Sequence, residues 1–411
     1  MQTNLSPQFR NTPDGLEAEA ILRKCVHCGF CTATCPTYQL LGDELDGPRG
    51  RIHLIKQVLE GEAPTAKTQM HLDRCLTCRN CESTCPSGVQ YGQLVDIGRK
   101  IVDAKVPRAA GAAALRWTLK EGLTSPLFGP AMRVGQAVRG LLPAALKAKV
   151  PARQAAGHWP SREHPRKVLM LAGCVQPSMM PNINSATARV LDAAGIQVVM
   201  APAAGCCGAV KFHLNDQEGG RAQMRANIDA WWPMLEQGVE AIVMNASGCG
   251  VTVKEYGHHQ QHDAAYADRA RRISERTRDL SELLPDIAAA LRGKVRPPAG
   301  LLAFHPPCTL QHGQQLRGGV EKHLGELGFT VRLAAGESHL CCGSAGTYSV
   351  LQPELATRLR DRKLGHLGEL APQAIISANI GCIGHLQGGT ATPVRHWVEV
   401  LDEALHAAPH S

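Results

Sequence analysis

Cysteine is the residue type in this sequence whose spacing points most directly to chemistry. The chain has 16 cysteines in 411 residues, and eight of them fall in two matching runs, CVHCGFCTATCP (25–36) and CLTCRNCESTCP (75–86). Each run has the spacing Cys-x2-Cys-x2-Cys-x3-Cys-Pro, which is typical of bacterial loops that bind [4Fe-4S] clusters. The two runs therefore predict a pair of clusters, which would pass single electrons rather than carry out bond chemistry.

In paired loops of this kind, the fourth cysteine of each run ligates the cluster of the other run. The expected ligand sets are Cys25, Cys28, Cys31 and Cys85 for the first cluster, and Cys75, Cys78, Cys81 and Cys35 for the second. A pair of zinc sites is the alternative, because four thiolates also suit tetrahedral zinc. Zinc ribbons, however, use paired Cys-x2-Cys steps and lack the Cys-Pro ending. The insertion between the runs, 41–61, is expected to be helical and to place Arg49 and Arg51 near the first cluster.

The other eight cysteines occupy matching places in a repeat that fills residues 166–411. Four pairs of segments match at an interval of 133 to 135 residues: 167–174 with 300–308, 186–201 with 319–334, 206–208 with 341–343, and 240–250 with 373–382. In both copies an apolar strand runs into a cysteine, and a helix ends at a glycine (Gly195 or Gly328) before the next strand. This alternation predicts two α/β units with small parallel sheets.

Each unit places four cysteines just after its strands, at the sheet edge where α/β folds build their sites. They are Cys174, Cys206, Cys207 and Cys249 in the first unit, and Cys308, Cys341, Cys342 and Cys382 in the second. Four thiols from separate loops suit a soft metal ion or an iron-sulfur cluster. Redox-active thiols, a disulfide between neighbours and buried packing residues are the alternatives. His213, His305 and His339 are candidate auxiliary ligands or hydrogen-bond donors.

The composition excludes several classes of protein. Aromatic residues make up 4% of the chain, and no stacking platform is evident, so nucleic-acid binding is not expected. No run of about 18 apolar residues occurs, which excludes a spanning helix. The first residues lack the basic start and apolar run of a secretory leader, so a cytoplasmic protein is expected, in which clustered cysteines bind metal more often than they form disulfides.

The remaining segment is basic. We predict a two-cluster domain over 1–104, a basic linker over 105–165, and repeated cysteine-rich units over 166–298 and 299–411. The formal net charge of +8 is concentrated in the linker. A solvated linker with short helices is the simplest interpretation, and contact with an anionic lipid surface or an acidic partner subunit is the alternative. Residues 128–150 are the candidate for membrane contact.

The same strings resemble a known family. CVHCGFCTATCPTYQLLGDELDGPRGRI, AGCCGAV, NASGCG, FHPPCTLQH and SHLCCGSAGTY closely resemble the iron-sulfur subunits of bacterial glycolate oxidase. They resemble less closely those of anaerobic glycerol-3-phosphate dehydrogenase and of L-lactate utilisation systems, and more distantly heterodisulfide reductase. The resemblance implies an α+β multidomain protein, with a helical two-cluster ferredoxin-like domain followed by two repeated α/β cysteine-rich (CCG) domains.

The resemblance also implies a function. The chain would take electrons from FAD-containing subunits that oxidise glycolate to glyoxylate and deliver them to quinone in the respiratory chain, peripherally on the cytoplasmic face of the inner membrane. No Gly-x-Gly-x-x-Gly loop follows a predicted strand, so the flavin and the glycolate site are expected on a partner and no catalytic residue is expected here. The same relay for L-lactate or glycerol 3-phosphate, a thiol-disulfide reductase at the CCG cysteines, and a zinc-bound assembly platform are the alternatives.

One departure from the wider family concerns the CCG motifs. In heterodisulfide reductase these motifs end in Cys-x-x-Cys and bind a non-cubane cluster. Here the first cysteine of that pair is replaced by Ala246 in the first unit and by Asn379 in the second. Each unit therefore keeps four thiols rather than five, which leaves a conventional cluster, a zinc ion or no metal open.

Overall fold

The structure, a computed structural model, describes residues 1–143, 147 and 150–406. The regular structure of the N-terminal region is helical. Its helices are α1 (Pro13–Lys24), α2 (Phe30–Ala33), α3 (Pro36–Leu41), α4 (Pro48–Glu60), α5 (Ala66–Asp73), α6 (Asn80–Thr84) and α7 (Tyr91–Lys105), with a 3-10 turn over Glu44–Asp46. Helices α1, α4, α5 and α7 pack around a core that includes Leu22, Ile55, Leu72 and Leu94.

Local sequence signals fix the ends of these helices. The Thr12 side chain caps α1 by accepting a hydrogen bond from the Gly15 amide, and Pro13 begins the helix. Helix α4 also begins with a proline and ends at Gly61, whose φ of +110° requires glycine. The predicted helical insertion between the cysteine runs is thus mostly α4, which lies against α7 and positions both cysteine loops.

Two further helices follow in the basic segment: α8 (Ala110–Thr124) and α9 (Phe128–Ala137), with a 3-10 turn over Arg139–Leu141. Neither helix has a buried residue. Their contacts with the rest of the chain are polar at several points, such as the hydrogen bond of 3.0 Å from the Gln136 amide to the Ser178 carbonyl.

The remainder folds around two four-stranded sheets. The strands are β1 (Arg166–Met170), β2 (Ile196–Val199), β3 (Ala241–Met244) and β4 (Thr277–Asp279), then β5 (Leu301–His305), β6 (Thr330–Leu333), β7 (Ala374–Ser377) and β8 (Val394–His396). The orders are β2-β1-β3-β4 and β6-β5-β7-β8, and all pairings are parallel. The predicted repeat of small parallel sheets is confirmed. The outer strands β4 and β8 were not predicted, since they have only three residues each.

Helices cover both sheets. In the first unit they are α10 (Gln176–Met179), α11 (Asn182–Ala193), α12 (Ala209–His213), α13 (Gln217–Glu236), α14 (Ser247–Lys254), α15 (Tyr256–His259), α16 (Ala267–Arg276) and α17 (Leu284–Leu291), with a 3-10 turn over Leu280–Leu283. In the second they are α18 (Gly319–Glu326), α19 (Tyr348–Leu351), α20 (Pro353–Gly368), α21 (Ile380–Gln387) and α22 (Trp397–His406), with a π-helical turn over Thr309–Gly313. Gly195 and Gly328 take φ of +81° and +95° at the predicted helix-to-strand turns.

The two units share one hydrophobic core that extends across both sheets. Helices α11 and α22 pack together, and the buried Arg189 guanidinium pairs with the Asp402 carboxylate at 2.6 Å. The His396 ring bonds the Asn245 carbonyl at 2.9 Å. The two sheets are therefore joined by apolar and polar contacts together.

Candidate iron-sulfur centre

The eight N-terminal cysteines gather around two adjacent pockets. The first, about 440 Å³ including its open mouth, is lined by thiols that include Cys25, Cys28, Cys31 and Cys85. The second, about 290 Å³ on the same measure, is lined by Cys35, Cys75, Cys78 and Cys81. The structure thus brings together the two crossed sets expected from the sequence. Pro48, Cys81 and Tyr91 line both pockets, so the two sites are direct neighbours.

The backbone of both loops follows the same path. The residue before the second cysteine is left-handed in each loop, with φ of +55° at His27 and +53° at Thr77. The residue after it is left-handed too, with φ of +85° at Gly29 and +58° at Arg79. Short helices, α2 and α6, begin at the next residue and carry the third cysteine. These paired reversals curl each loop around its pocket.

The thiols in each set are close enough to oppose one another's ionisation. Burial raises the pKa of Cys31 to about 11, and the neighbouring Cys25, Cys28 and Cys85 thiols add to that shift. Burial also raises the pKa of Cys81, with contributions from Cys78, Cys75 and Cys35. Four thiolates held this closely need a cation among them, so the donor set fits an iron-sulfur cluster, whose irons take four thiolates.

Polar side chains surround the second site. The Thr37 hydroxyl lies 3.3 Å from the Cys35 sulfur and donates to the Asp46 carbonyl at 2.7 Å. The fully buried Arg51 guanidinium donates to the same hydroxyl at 3.2 Å. Arg51 therefore lines the second pocket and only Arg49 lines the first, whereas the sequence led us to expect both at the first. The difference arises because α4 crosses both pockets, and residues two apart on a helix face different directions.

Tyr91, which sequence reasoning missed, separates the two sites. Its side chain is 3% exposed, and its hydroxyl makes no hydrogen bond of ordinary geometry with a described residue. Burial raises the pKa of Tyr91, and the Cys75 thiol, which lies close to the hydroxyl, adds to that shift. A buried hydroxyl without a partner is costly, so a sulfur acceptor at this position would stabilise it. The only sequence signal was a tyrosine five residues after the Cys85-Pro86 pair.

The four thiols of the first CCG unit also come together, beyond the carboxyl ends of β1, β2 and β3. A hydrogen bond from the Cys174 thiol, with another from Cys207, lowers the pKa of Cys206. The Cys249 thiol lies beside Cys207. Cys174 and Cys249 are partly exposed, so this site is open on one side.

Two side chains from the helices of the first unit hold its cysteine pair. The Asn227 amide donates to the Cys206 carbonyl at 2.8 Å, and the Tyr256 hydroxyl donates to the Cys207 carbonyl at 2.9 Å. The same two side chains are bonded to each other at 3.0 Å. Hydrogen bonds to the backbone carbonyls of Cys206 and Cys207 therefore fix the orientation of the cysteine pair.

The second unit repeats the arrangement with all four thiols buried. The Cys308 and Cys341 sulfurs are 3.7 Å apart, and Cys382 lies beside Cys342. The side chain of Lys363, 3% exposed, lies near these thiols and donates to the Glu337 carbonyl. Burial lowers the pKa of Lys363, whereas Cys342 and Cys341 favour its charged form. A buried ammonium at this place favours thiolates or an anionic cluster.

The positions where a fifth thiol is missing lie between the two units. Ala246 and Asn379 are the N-cap residues of α14 and α21. The Ser247 amide donates to the Ala378 carbonyl at 3.0 Å, which links the units here. The Asn379 amide donates to the Cys382 sulfur at 3.5 Å. Asn379 thus supplies a hydrogen bond to sulfur in the place where the wider family has a ligand.

The three histidines named from the sequence have other contacts. His213 lies 3.4 Å from the Asp96 carboxylate of the N-terminal region. His305 is buried against the Ser377 hydroxyl at 3.1 Å, and burial lowers its pKa to about 3. The His339 carbonyl accepts hydrogen bonds from Asn80 and His312. No described contact joins any of these three rings to a cysteine sulfur.

The second cysteine loop is held by both CCG units. Leu76 and Cys78 pack with Cys308, Cys341 and Tyr348 of the second unit. Arg79 forms a two-pronged ion pair with Glu255 of the first unit, with one contact at 2.8 Å. The second N-terminal site is thus joined through packed side chains to the thiols of the second CCG unit.

Comparison with known proteins identifies the domains. Residues 21–89 match the family described as "4Fe-4S dicluster domain", and residues 168–254 and 302–387 both match the family described as "Cysteine-rich domain" (CCG). The chain is 57% identical over 410 residues to the glycolate oxidase iron-sulfur subunit of Escherichia coli K12, covering 98% of this chain and 99% of that protein. The chain belongs to the family of glycolate oxidase iron-sulfur subunits.

More distant relatives agree with this assignment. The probable glycolate oxidase iron-sulfur subunit of Bacillus subtilis 168 is 30% identical, over 95% of each chain. Lactate utilization protein A of Bacillus licheniformis is 25% identical and matches only 57% of this chain. The family resemblance inferred from the sequence is confirmed, and the lactate alternative fits less well. Within the described residues, no helix has the length and apolar character needed to cross a bilayer.

Proposed function

We propose that this chain is the electron-transfer subunit of a glycolate oxidase complex. The crossed cysteine sets would hold two [4Fe-4S] clusters, which would supply a one-electron path from an FAD-containing partner that oxidises glycolate to glyoxylate toward quinone. The observation that carries the proposal is the pair of adjacent four-thiol pockets separated by Tyr91. A bound cluster supplies one-electron redox chemistry. The residues of this chain hold the clusters, exclude water and set their potentials.

The first site is the one that we propose exchanges electrons with another subunit. Of the 16 cysteines, Cys28 is the only exposed one. The loop around it also exposes the apolar side chains of Val26 and Phe30. The second site lies further inside, against the second CCG unit. In this proposal electrons enter at the exposed first site and then reach the enclosed second site.

The test uses the purified complex with its flavin subunits. Cys28→Ala and Cys78→Ala each remove one ligand, from the first and second set respectively, and both are expected to abolish glycolate-driven reduction of a quinone analogue and to lower the iron content. Glu62→Gln, an exposed substitution away from the cysteines, is the control and should retain the full rate. Full quinone reduction by either cysteine variant would rule out the relay.

We also propose that the two CCG units hold metal or an iron-sulfur cluster through their four thiols. The support is the gathering of eight thiols in two matching groups at equivalent sheet edges. Iron, sulfide and zinc are measured per chain in the anaerobically purified wild type and in a Cys207→Ala, Cys342→Ala double variant. Loss of iron or zinc beyond the two N-terminal clusters is expected in the variant. An unchanged metal content, with turnover of a small disulfide that is lost in the variant, would favour the thiol-disulfide reductase instead.

The position of the complex in the cell is also a proposal. We place the complex on the cytoplasmic face of the inner membrane, held peripherally, because its electrons go to a lipid-soluble acceptor. Fractionation of cells that contain the whole complex tests this directly. The subunit is expected with the membranes and to be released by high salt and detergent together, whereas recovery in the soluble fraction at low salt would contradict the proposal.

A further inference from the structure

The described part of the basic segment exposes an unusual amount of apolar surface. Twelve large hydrophobic side chains of the described residues are exposed, and six of them lie between residues 115 and 141. Of the other six, Val26 and Phe30 lie on the first cysteine loop, and the remaining four are scattered. Exposed apolar side chains concentrated in one segment mark an interaction surface, whereas single ones do not.

Four of these side chains, together with Ala131, form a stripe along one face of α9 and the turn after it. Leu127, Ala131, Val134, Val138 and Leu141 follow one another at intervals of four and three residues, which places them on the same side of a helix. Leu127 is 73% exposed, Val134 64% and Leu141 87%. We call these five residues the outer stripe. The opposite side of the helix carries Gln136, which bonds Ser178 of the first CCG unit.

The charge around the outer stripe is strongly positive. Residues 105–165 contain ten lysines and arginines but only two acids, Glu121 and Glu163. Basic residues on the inner side of α8 are paired, as Arg116 is with Asp73 at 3.0 Å and Lys120 with Asp216 at 3.2 Å. Arg133, beside the outer stripe, is exposed and forms no ion pair with a described residue, and Arg139 bonds only the Val150 carbonyl at 2.7 Å. This charge is available to an anionic group outside the chain.

From these observations we infer that the outer stripe and the basic residues beside it dock α9 onto an anionic lipid surface. The inference rests on the membrane location proposed above and names the surface responsible for it. Helices that lie in the plane of a membrane combine an apolar face with lysine and arginine on their flanks. Trp117 on the adjacent α8 is 63% exposed, and tryptophan is enriched at the membrane-water interface. A partner subunit would have to carry an apolar groove as well as acidic residues, whereas an anionic bilayer offers both an apolar interior and negative headgroups.

Cosedimentation of the full-length chain with vesicles tests the inference under anaerobic conditions. The vesicles contain either phosphatidylcholine alone or phosphatidylcholine with phosphatidylglycerol. Wild type is expected to sediment with the anionic vesicles, and more weakly at high salt because screening removes the electrostatic part. Substituting Leu127→Ser, Val134→Ser and Leu141→Ser together should weaken binding by at least about tenfold.

A Leu16→Ser, Leu333→Ser double variant, which removes exposed leucines elsewhere, is the matched control and should bind like wild type. Cluster absorbance shows that each variant is folded, and dye reduction by the detergent-solubilised complex reports the relay separately from membrane docking. Failure of wild type to bind anionic vesicles would overturn the inference. Normal vesicle binding by the triple variant would overturn it too. If the triple variant bound vesicles normally but no longer copurified with a partner subunit, the stripe would be a protein interface instead.

Discussion

The two cysteine loops of the N-terminal region have identical cysteine spacing but different surroundings. The first loop, 25–35, exposes Val26, Cys28 and Phe30, whereas in the second loop the equivalent positions are covered by the CCG units. Leu76 replaces Val26, and the buried Asn80 replaces Phe30 and donates to the His339 carbonyl at 3.2 Å. The comparison shows that one cysteine motif, used twice, has different surroundings at each place, and the different roles that we propose follow from them.

The largest expected effect is a loss of stability at the residue that follows the first cysteine of each loop, Leu76 or Val26. Leu76 is 7% exposed and Val26 is 66% exposed. Leu76→Ala should cost about 2–4 kcal/mol, because it leaves a cavity against Cys308 and Tyr348, whereas Val26→Ala should change stability by less than about 0.5 kcal/mol. The urea concentration at which the cluster absorbance bleaches measures the stability of both variants. Equal sensitivity of the two variants would mean that the loops are not held differently.

A smaller effect is expected from the ion pairs at the two loops. Arg79 and Glu255 are mostly buried, while Arg49 and Glu44 beside the first loop are about 40% exposed. Arg79→Ala should cost about 1–3 kcal/mol because it leaves Glu255 unpaired in a partly buried place. Glu44→Gln should cost at most about 1 kcal/mol. Urea unfolding of the two variants side by side provides the measurement, and a costlier Glu44→Gln would refute the contrast.

The residue after the second cysteine is left-handed in both loops, but it is glycine in the first loop and arginine in the second. Gly29 has φ of +85°, and a Cβ there would approach the Arg49 guanidinium to 2.9 Å. Gly29→Ala should therefore cost about 1–2 kcal/mol. Arg79 holds the same left-handed conformation at φ of +58°, with its ion pair as compensation. Gly111→Ala, in open space on a helix, is the control and should not destabilise. Thermal loss of cluster absorbance compares the two, and a harmless Gly29→Ala would contradict the assigned backbone role.

The smallest effect concerns the hydroxyl between the two sites. Tyr91→Phe should lower the reduction potential of the second cluster by about 20–60 mV, since a lost hydrogen bond of about 0.5–1.5 kcal/mol destabilises the more negative, reduced cluster. Tyr38→Phe, whose ring does not line either pocket, is the matched control. Potentiometric titration followed by EPR measures both potentials. An unshifted potential in Tyr91→Phe would show that the hydroxyl does not face a sulfur of the cluster.

Much of this arrangement could be predicted from spacing alone. The 133-to-135-residue interval predicted two parallel-sheet units, and the Cys-x2-Cys-x2-Cys-x3-Cys-Pro runs predicted two adjacent four-thiol groups. The surroundings could not be predicted, because they depend on contacts between residues far apart in the chain. Arg79 meets Glu255 across 176 positions, and Asn80 meets His339 across 259. The positions of Arg51 and Tyr91 depend on which side of α4 and α7 faces the pockets, a detail that a regular pattern of apolar residues does not fix.

The most direct test of the account is the iron and sulfide content of the anaerobically purified chain, combined with EPR of the reduced protein. We predict at least about eight irons and eight sulfides per chain, with the spectrum of two magnetically interacting [4Fe-4S] clusters, because the two pockets share Cys81 and Tyr91. Cys78→Ser should remove the second cluster and the interaction signal together. Zinc in place of iron, or two clusters without magnetic interaction, would contradict the central claim of a pair of adjacent clusters in crossed cysteine sets.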